Sequence, residues 1–307
     1  MTDFGADSSF EEAVEKIKEH YAISLPISAV REITLQHAER MLERELDTEL
    51  PERGIPQLIA EIDGSMVPIV SFPSAEPPDY RVDKRKQRKT EWKQARLVLV
   101  RNPRQVSKLY NATMGEANQA GEQLKDLARA AGAGNQTLLH GVGDGASWIV
   151  EQIKAKFGEQ GGFLVDYYHV SEYLAEASAA VAGANKNDWL RKQQEMMKQN
   201  RVDEVIDELR LRLEKETDEQ KREAIIVCER YLTNRLEYLD YEGAIKGGLP
   251  IGSGEVESGH RSVIQERLKL SGAWWKIENA EKMLALRVVR VNGEWQSYWD
   301  NLRQAAA

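Results

Sequence analysis

Residues 57–72 read QLIAEIDGSMVPIVSF, and they mark the start of a β-sheet. Apolar and polar residues alternate here with a period of two, which is typical of strands, whereas the preceding residues have a helical period. Asp63 and Gly64 form a common turn pair, so the stretch predicts two short strands joined at that point. The chain therefore changes its architecture near residue 55.

Three further strands are predicted after this stretch. EWKQARLVLV ends at Val100, QTLLHGVG ends at Gly143 and GFLVD ends at Asp166. Helices are predicted over about residues 113–132, from just past Asp144, and over YYHVSEYLAEASAAV. Three consecutive strands, followed by helix, strand, helix and strand, predict an α/β fold with a mixed five-stranded sheet and helices on its faces.

The N-terminal region, residues 1–50, is predicted to be helical. Residues 8–46 predict two helices, the first opened by a capping pattern from Ser8 to Glu11 and the second beginning near Pro26. Two helices joined in this way fit either part of a helix-turn-helix or a simple packing hairpin.

A second helical region interrupts the predicted sheet domain. Residues 185–246 have apolar residues at spacings of three and four with dense charges between them, which predicts an all-helical insertion. The α/β domain then has a first part, residues 55–184, and a final part, residues 247–307, that ends in helices.

Composition restricts the class of protein. The 307 residues are 41% hydrophobic and 30% charged, as in soluble globular proteins, and no apolar run approaches the roughly 18 residues of a membrane span. The N-terminus is acidic where a signal peptide would be basic and then apolar, so we expect a cytoplasmic protein with no membrane partner. Cys228 is the only cysteine, which excludes a disulfide framework within one chain.

Charge is unevenly distributed along the chain. The net charge of −8 argues against non-specific coating of nucleic acid, yet residues 81–104 carry ten Lys or Arg against Asp83 and Glu91. Such a run fits either a solvated loop or a patch that binds phosphates. The candidate phosphate contacts are Lys84, Arg85, Lys86, Arg88, Lys89 and Lys93, together with Arg261, Arg267 and Lys269.

Three carboxylates occupy informative places in this pattern. Asp63 ends the first predicted strand, Asp144 follows the fourth, and Glu257 begins a helix after IGSG. Each one alone fits an ordinary role: a hairpin turn, a helix N-cap, or a helix dipole contact. If the first and fourth strands are neighbours, however, Asp63 and Asp144 come together, and a helix across the same edge could add Glu257. Such acids repel one another unless a cation such as Mg²⁺ or Mn²⁺ lies among them.

The order of the motifs resembles that of a known family. IAEIDG, GDGASWI, DYYH, and PIGSGEVES followed by HRSVIQERLKLSGAWW resemble the DDE transposases of bacterial insertion sequences, most closely the ISKra-type group. The motifs of that group are similar in turn to those of Mutator-like and hAT-like transposases. The resemblance covers about residues 55–300 and implies an RNase H-like catalytic domain with a helical insertion. It also implies that Asp63, Asp144 and Glu257 bind two Mg²⁺ or Mn²⁺ ions.

The activity that the resemblance implies is metal-dependent cleavage of transposon ends and strand transfer. DNA is then the partner, and we expect a dimer on DNA in the nucleoid of a bacterial cytoplasm. Relatives usually have a longer N-terminal region, so a separately encoded N-terminal part is a further expected partner. Three alternatives stay open: an RNase H-like nuclease or resolvase on branched or hybrid nucleic acid, a non-catalytic DNA-binding protein descended from a transposase, and a helical interaction protein.

Asp166 and His169 match the (Cys/Asp)-x-x-His signature of these relatives. They either orient a DNA strand or a metal ligand, or they form a helix cap and a histidine bonded beneath the site. Glu255 lies two positions from Glu257, and the family pattern, which places the acid directly before Ser258, favours Glu257.

Trp274 and Trp275 end the same motif. We interpret them as core residues that anchor the helix carrying Glu257 to the sheet, with base stacking as the alternative.

Overall fold

The computed structural model describes residues 1–44, 53–72 and 88–305. Its N-terminal region contains three helices rather than the two predicted: α1 (Thr2–Asp7), α2 (Phe10–Tyr21) and α3 (Ile27–Leu42). The cap of α2 lies one residue later than the predicted Ser8, because the Ser9 hydroxyl accepts a 3.1 Å hydrogen bond from the Glu12 amide.

A mixed sheet of five strands forms the centre of the fold, as predicted. Its strands are β1 (Gln57–Ser71), β2 (Lys89–Arg101), β3 (Lys108–Thr113), β4 (Leu138–Gly143) and β5 (Gly161–Val165). Their spatial order is β3-β2-β1-β4-β5. β1 pairs antiparallel with β2, and β2 with β3, whereas β1–β4 and β4–β5 are parallel.

The predicted turn at Asp63–Gly64 is wrong, because β1 is one continuous strand of 15 residues. Its pairing with β2 continues through Gly64, which lies opposite Arg96. A Cβ at Gly64 would clash with the Gln94 side chain, so the glycine admits a cross-strand side chain and does not turn the chain. The two short strands predicted here are thus one strand, β1. The total is still five because the sheet contains a strand that was not predicted, β3 (Lys108–Thr113).

Helices cover both faces of the sheet. The segment after β3 contains α4 (Ala117–Ala130), α5 (Ser147–Phe157) and α6 (Tyr167–Ala182). The residues predicted to form the insertion are helical, as α7 (Lys186–Lys198), α8 (Val202–Leu213), α9 (Glu219–Thr233) and α10 (Tyr241–Lys246). The last part contains α11 (Gly254–Gly259), a π-helical segment (His260–Gln265), α12 (Glu266–Leu268), α13 (Ile277–Val291) and α14 (Trp295–Ala305).

Alternation along β1 assigns each face to a different core. Leu58 and Ile62 pack with residues of α4 and α5, whereas Val67 and Ile69 pack with residues of α11 and α13. A separate core joins α6 to the helices α7–α10. No helix among the described residues is long and apolar enough to cross a bilayer.

β1 and β2 extend beyond the rest of the sheet as a two-stranded ribbon, residues 65–71 and 89–95. β4 pairs with β1 only as far as Glu61, and β3 pairs with β2 only from Arg96 onward. Trp275 fixes the outer edge of this ribbon: its carbonyl accepts from the Val70 amide at 2.7 Å, and its amide donates to the Pro68 carbonyl at 3.1 Å.

The Trp275 indole is buried and holds the segment after α12 against the N-terminal helices. It is 7% exposed and its Nε1 donates to the Leu268 carbonyl at 3.1 Å. The Phe10 ring lies 6.3 Å away in an edge-on arrangement. Trp275 is therefore an anchor, as predicted, whereas Trp274 is 38% exposed.

We expect Trp275→Ala to lower the free energy of unfolding by about 3–5 kcal/mol, because it removes a large buried side chain and leaves a cavity. Trp274→Ala is the matched control and should cost less than about 1 kcal/mol, since exposed side chains contribute little to stability. Urea denaturation of both variants measures the difference, and equal losses would contradict the anchoring role of Trp275.

Candidate functional site

The parallel pairing of β1 with β4 brings Asp63 and Asp144 to the same level of the sheet. Glu61 lies beside Val142 in the register. Asp63 follows two residues later on the same face of β1 as Glu61, because side chains alternate between faces with a period of two, and Asp144 is the first residue after β4 ends at Gly143. The expectation that these two strands are neighbours is confirmed.

Asp63 lies on β1 just past the point where its pairing with β4 ends. Its Oδ1 accepts from the Gly64 amide at 2.7 Å, and its Oδ2 lies 2.9 Å from Nε2 of His260. The His260 side chain is 6% exposed, against 34% for Asp63. Among the described residues neither ring nitrogen of His260 has a hydrogen-bond partner, so this contact is close in distance but not aligned as a hydrogen bond.

The turn that carries Asp144 is held by hydrogen bonds from residues at and just after the end of α9. Asp144 Oδ1 accepts from the Ala146 amide at 2.8 Å, just before α5 begins. From the end of α9, the Tyr231 hydroxyl donates to the Asp144 carbonyl at 2.9 Å, and Arg235 Nε donates to the Gly145 carbonyl at 3.1 Å. The Arg235 guanidinium lies 4.0 Å from the centre of the Tyr231 ring. The position of Asp144 thus depends on residues almost ninety positions away.

α11 presents Glu255 and Glu257 to opposite sides. Glu255 Oε2 accepts from Arg101 at 2.8 Å, and Arg101 pairs with Ile59, near the beginning of β1. Two positions along a helix are separated by roughly 200° of rotation, so Glu257 projects away from Arg101. Glu257 is exposed and makes no side-chain hydrogen bond or ion pair within the described part of the chain. Glu255 is therefore engaged by Arg101, and the choice of Glu257 as the third acid stays a prediction.

Glu61 fixes α11 to the sheet and was not recognised from the sequence. It is 1% exposed, and its Oε2 accepts from the Val256 amide in the first turn of α11 at 2.7 Å. Oε1 has no partner among the described residues. Burial raises the pKa of Glu61 to about 7, and the nearby Glu255 adds to the rise, while the Val256 amide and Arg101 oppose it. The available signal was a charged residue between apolar neighbours in IAEI.

The π-helical segment after α11 places His260 against Asp63. π-helical turns are rare in proteins, but those that occur often lie at functional sites, because one extra residue per turn redirects the side chains that follow. His260, Val263 and Ile264 of this segment are all buried. His260 lies within the quoted motif, but no pattern in the sequence assigned it a role.

Asp166 forms hydrogen bonds to two elements of the site, the start of α6 and Ser253 before α11. Its Oδ1 caps α6 by accepting from the amides of Tyr168 and His169, at 2.6 and 3.2 Å. Its Oδ2 accepts from the Ser253 amide at 2.7 Å, directly before α11. The geometry agrees with the helix-cap alternative for Asp166, whereas His169 is 40% exposed and lies 3.2 Å from Glu172.

The basic residues expected to contact phosphates are not all on the surface. Lys84, Arg85 and Lys86 lie outside the described residues. Arg88 and Lys89 are exposed, as is the Arg261 side chain at 80%, and the Lys93 side chain is 43% exposed.

Arg267 requires a correction, because it is a core residue and not a phosphate contact. It is 2% exposed, with its guanidinium 4.6 Å from the Phe10 ring centre and 4.8 Å from that of Trp275. Its Nε donates to the Gly5 carbonyl at 2.9 Å, and burial lowers its pKa to about 10. Lys269 is half-buried and donates to the Ser65 hydroxyl at 2.7 Å.

The three carboxylates fit a hard divalent cation in their chemistry. Asp63, Asp144 and Glu257 offer only oxygen donors, which are the ligands that Mg²⁺ and Mn²⁺ take. Over residues 1–44, 53–72 and 88–305, no three His, Cys, Asp or Glu side chains are grouped closely enough to hold a metal ion. Glu257, on the exposed side of α11, is the ligand that would have to approach the two aspartates.

We expect Glu61→Gln to change how stability depends on pH. An acid with a higher pKa in the folded state binds more protons when folded, so its contribution to stability falls as pH rises from 4.5 to about 7. The side-chain amide of the variant cannot ionise, and its oxygen can still accept from the Val256 amide. Relative to the natural chain, the variant should gain about 2 kcal/mol of unfolding free energy between roughly pH 5 and pH 7.5. Urea denaturation of both proteins at both pH values measures their unfolding free energies. If the difference between variant and natural chain were the same at both pH values, the raised pKa of Glu61 would be contradicted.

Comparison with known proteins gives a family for this chain. No curated protein matches it. The model of an uncharacterised protein family, UPF0236, matches residues 8–301, which is nearly the whole chain. The match includes the strands, the helical segment and α11. The chain therefore belongs to the uncharacterised protein family UPF0236.

Proposed function

We propose that this chain is a DNA transposase that cleaves transposon ends and transfers the cut strand, with Asp63, Asp144 and Glu257 as its metal ligands. The observation that carries the proposal is the β1–β4 register, which pairs Glu61 with Val142 and so brings Asp63, two residues later on β1, and Asp144, directly after β4, to the same end of the two strands. α11, which carries Glu257, packs on the same face of β1 as Asp63 through the Glu61–Val256 hydrogen bond. Four motifs that are distant in sequence thus meet at one edge of the sheet.

The strand arrangement supports an RNase H-like interpretation of the domain. An antiparallel β1–β2–β3 meander continues through β1 into the parallel strands β4 and β5. The helical segment from α7 to α10 separates these strands from α11, where the resemblance to ISKra-type transposases implies an insertion before the glutamate. The helices of residues 186–246 then support the proposed site, because Tyr231 and Arg235 donate hydrogen bonds to the backbone of the Asp144 turn.

The chemistry that we propose is phosphoryl transfer without a covalent enzyme intermediate. Two Mg²⁺ or Mn²⁺ ions, when bound, would activate water or a DNA 3′-hydroxyl and stabilise the leaving oxygen. The residues of the chain hold the ions and position the strand. Asp63 is held by the pairing of β1 with β2, opposite Leu97, and Asp144 by the hydrogen bonds of its turn, so both are positioned before DNA binds.

Lys269 adds a positive charge on the same side of β1. Its ammonium group bonds to Ser65, which follows Asp63 by two residues and therefore shares its face. Two residues along a strand span about 7 Å, a distance at which a cation can contact a phosphate next to the one being cut. Arg261, one residue past His260, offers a second exposed cation.

We expect Asp63→Asn, Asp144→Asn and Glu257→Gln each to lower metal-dependent DNA cleavage at least about 100-fold, since each removes one of the proposed charged ligands. The substrate is a DNA fragment that carries both flanks of the gene, incubated with Mg²⁺ or Mn²⁺. Nicks and joined products are resolved on denaturing gels.

Glu255→Gln is the matched control, because it removes an acid two positions from Glu257 that already pairs with Arg101. It should retain cleavage within about threefold, because the partly buried Arg101–Glu255 pair leaves the three proposed ligands unchanged. Activity lost in Glu255→Gln and kept in Glu257→Gln would reverse the assignment.

Two other outcomes would replace the proposal. Cleavage without joined products would indicate a nuclease or resolvase. DNA binding without cleavage, unaffected by Mg²⁺ and by Asp63→Asn, would indicate a non-catalytic DNA-binding protein.

A further inference from the structure

Two tryptophans form an exposed aromatic pair on the β1–β2 ribbon. Trp92 is 56% exposed and Trp274 is 38% exposed. Their ring centres lie 6.3 Å apart with the planes inclined at 59°, so the rings do not cover each other's faces. The other tryptophans in the described part of the chain are buried or half-buried. The two most exposed indoles thus lie side by side.

The pair is held by rigid backbone from two distant parts of the chain. Trp92 lies on β2 directly opposite Pro68 of β1. Trp274 precedes Trp275, whose amide and carbonyl bond to Pro68 and Val70 on the other edge of β1. Both indoles are therefore fixed around Pro68, and a ligand that binds to them has little backbone to order.

Apolar and basic groups surround the pair. Met66 and Phe72 on the same ribbon are 45% and 42% exposed. A cavity of about 500 Å³ lies beside Trp274 and is lined by Phe72, Arg31 and Lys276 among others. Contiguous exposed apolar patches are uncommon on soluble proteins unless they form a binding site.

The charges near the pair indicate the kind of ligand. Arg88 lies just before β2, four residues from Trp92 and on its side of the strand by alternation, whereas Lys89 and Lys93 fall on the other side and Lys93 pairs with Glu91 at 3.2 Å. Arg31 and Lys276, which line the cavity beside Trp274, add two exposed cations in a chain whose net charge is −8. A purely apolar protein partner has no need of such cations, whereas a nucleic acid strand offers both phosphates and flat bases.

We propose that Trp92 and Trp274 bind unpaired bases of a DNA strand by stacking, while Arg88, Arg31 and Lys276 contact its phosphates. This inference rests on the proposed function for the identity of the strand. Pro68 follows Asp63 by five residues, or about 17 Å of β1. That length corresponds to about five nucleotide steps at 3.4 Å each.

The surface binds a strand next to the cut and not the scissile phosphate. Side chains alternate along β1, so Pro68, which lies under the aromatic pair, and Asp63 point to opposite faces of the strand. DNA that leaves the Asp63 site must cross the edge of the ribbon to reach the tryptophans. An unpaired strand can bend around this edge, whereas a duplex is stiff over such a length. The surface therefore selects single-stranded DNA or an unpaired end.

The test measures how tightly the full chain binds a short fluorescent thymidine oligonucleotide and a blunt duplex of equal length, by fluorescence anisotropy. Trp92→Ala and Trp274→Ala should each weaken binding of the oligonucleotide roughly tenfold, as is typical for the loss of one stacking partner. Binding of the blunt duplex should change less than about twofold in both variants, since its bases are already paired and stacked.

Two variants serve as controls for this experiment. Tyr21→Ala removes another exposed aromatic ring, on α2, and should leave binding of the oligonucleotide unchanged. Trp92→Phe keeps an aromatic face and should restore most of the affinity lost in Trp92→Ala, which a merely structural role in the ribbon would not predict.

Wild-type affinity for the oligonucleotide in both alanine variants would overturn the inference. So would a change from dimer to monomer with unchanged affinity, which would make this surface an interface between copies of the chain. Asp63→Asn separates the two proposals: it should abolish cleavage and keep oligonucleotide binding. Failure of cleavage in the natural chain would count against the proposed function, while loss of binding in the tryptophan variants would still support the stacking surface.

Discussion

The hydrogen bond between the buried Glu61 carboxylate and the Val256 amide is the constraint on which the candidate site depends. It joins the central strand to the first turn of α11 at 2.7 Å, inside a region from which water is excluded. Because a buried carboxyl group without a hydrogen-bond partner is costly, this bond holds the first turn of α11 against β1. The position of α11 sets His260 against Asp63 and directs Glu257 away from the Arg101 side.

Two further connections place the rest of the site. Asp166 bonds both to the start of α6 and to Ser253, so the end of β5 and the beginning of α11 are held together. Tyr231 and Arg235 bond to the backbone at Asp144 and Gly145, which links the helical segment to the end of β4. A helical region that could be interpreted as a separate interaction module is instead a direct support for one of the proposed ligands.

Charge and aromatic character in the sequence proved to be ambiguous guides to location. Arg267 was predicted to contact phosphates at the surface, yet its guanidinium is buried against Phe10 and Trp275, where the rings and the Gly5 carbonyl compensate for lost water. The adjacent Trp274 and Trp275 also differ in location: the Trp274 side chain is exposed, and the Trp275 side chain is buried. Neighbours on an extended segment point to opposite sides, and the partner elements decide which side is the core.

The sequence by itself determined the α/β class, the regions that form β1, β2, β4 and β5, and the helical regions. Those features follow from hydrophobic period and strand order, which are local or nearly local properties. The continuous β1 through Gly64, the extra strand β3, the buried roles of Glu61 and Arg267 and the Trp92–Trp274 pair were decided only by tertiary structure. Each depends on a partner distant in the chain, such as Gln94, Val256, Phe10 or Pro68, and the energy of burying a group is set by that partner and not by its sequence neighbours.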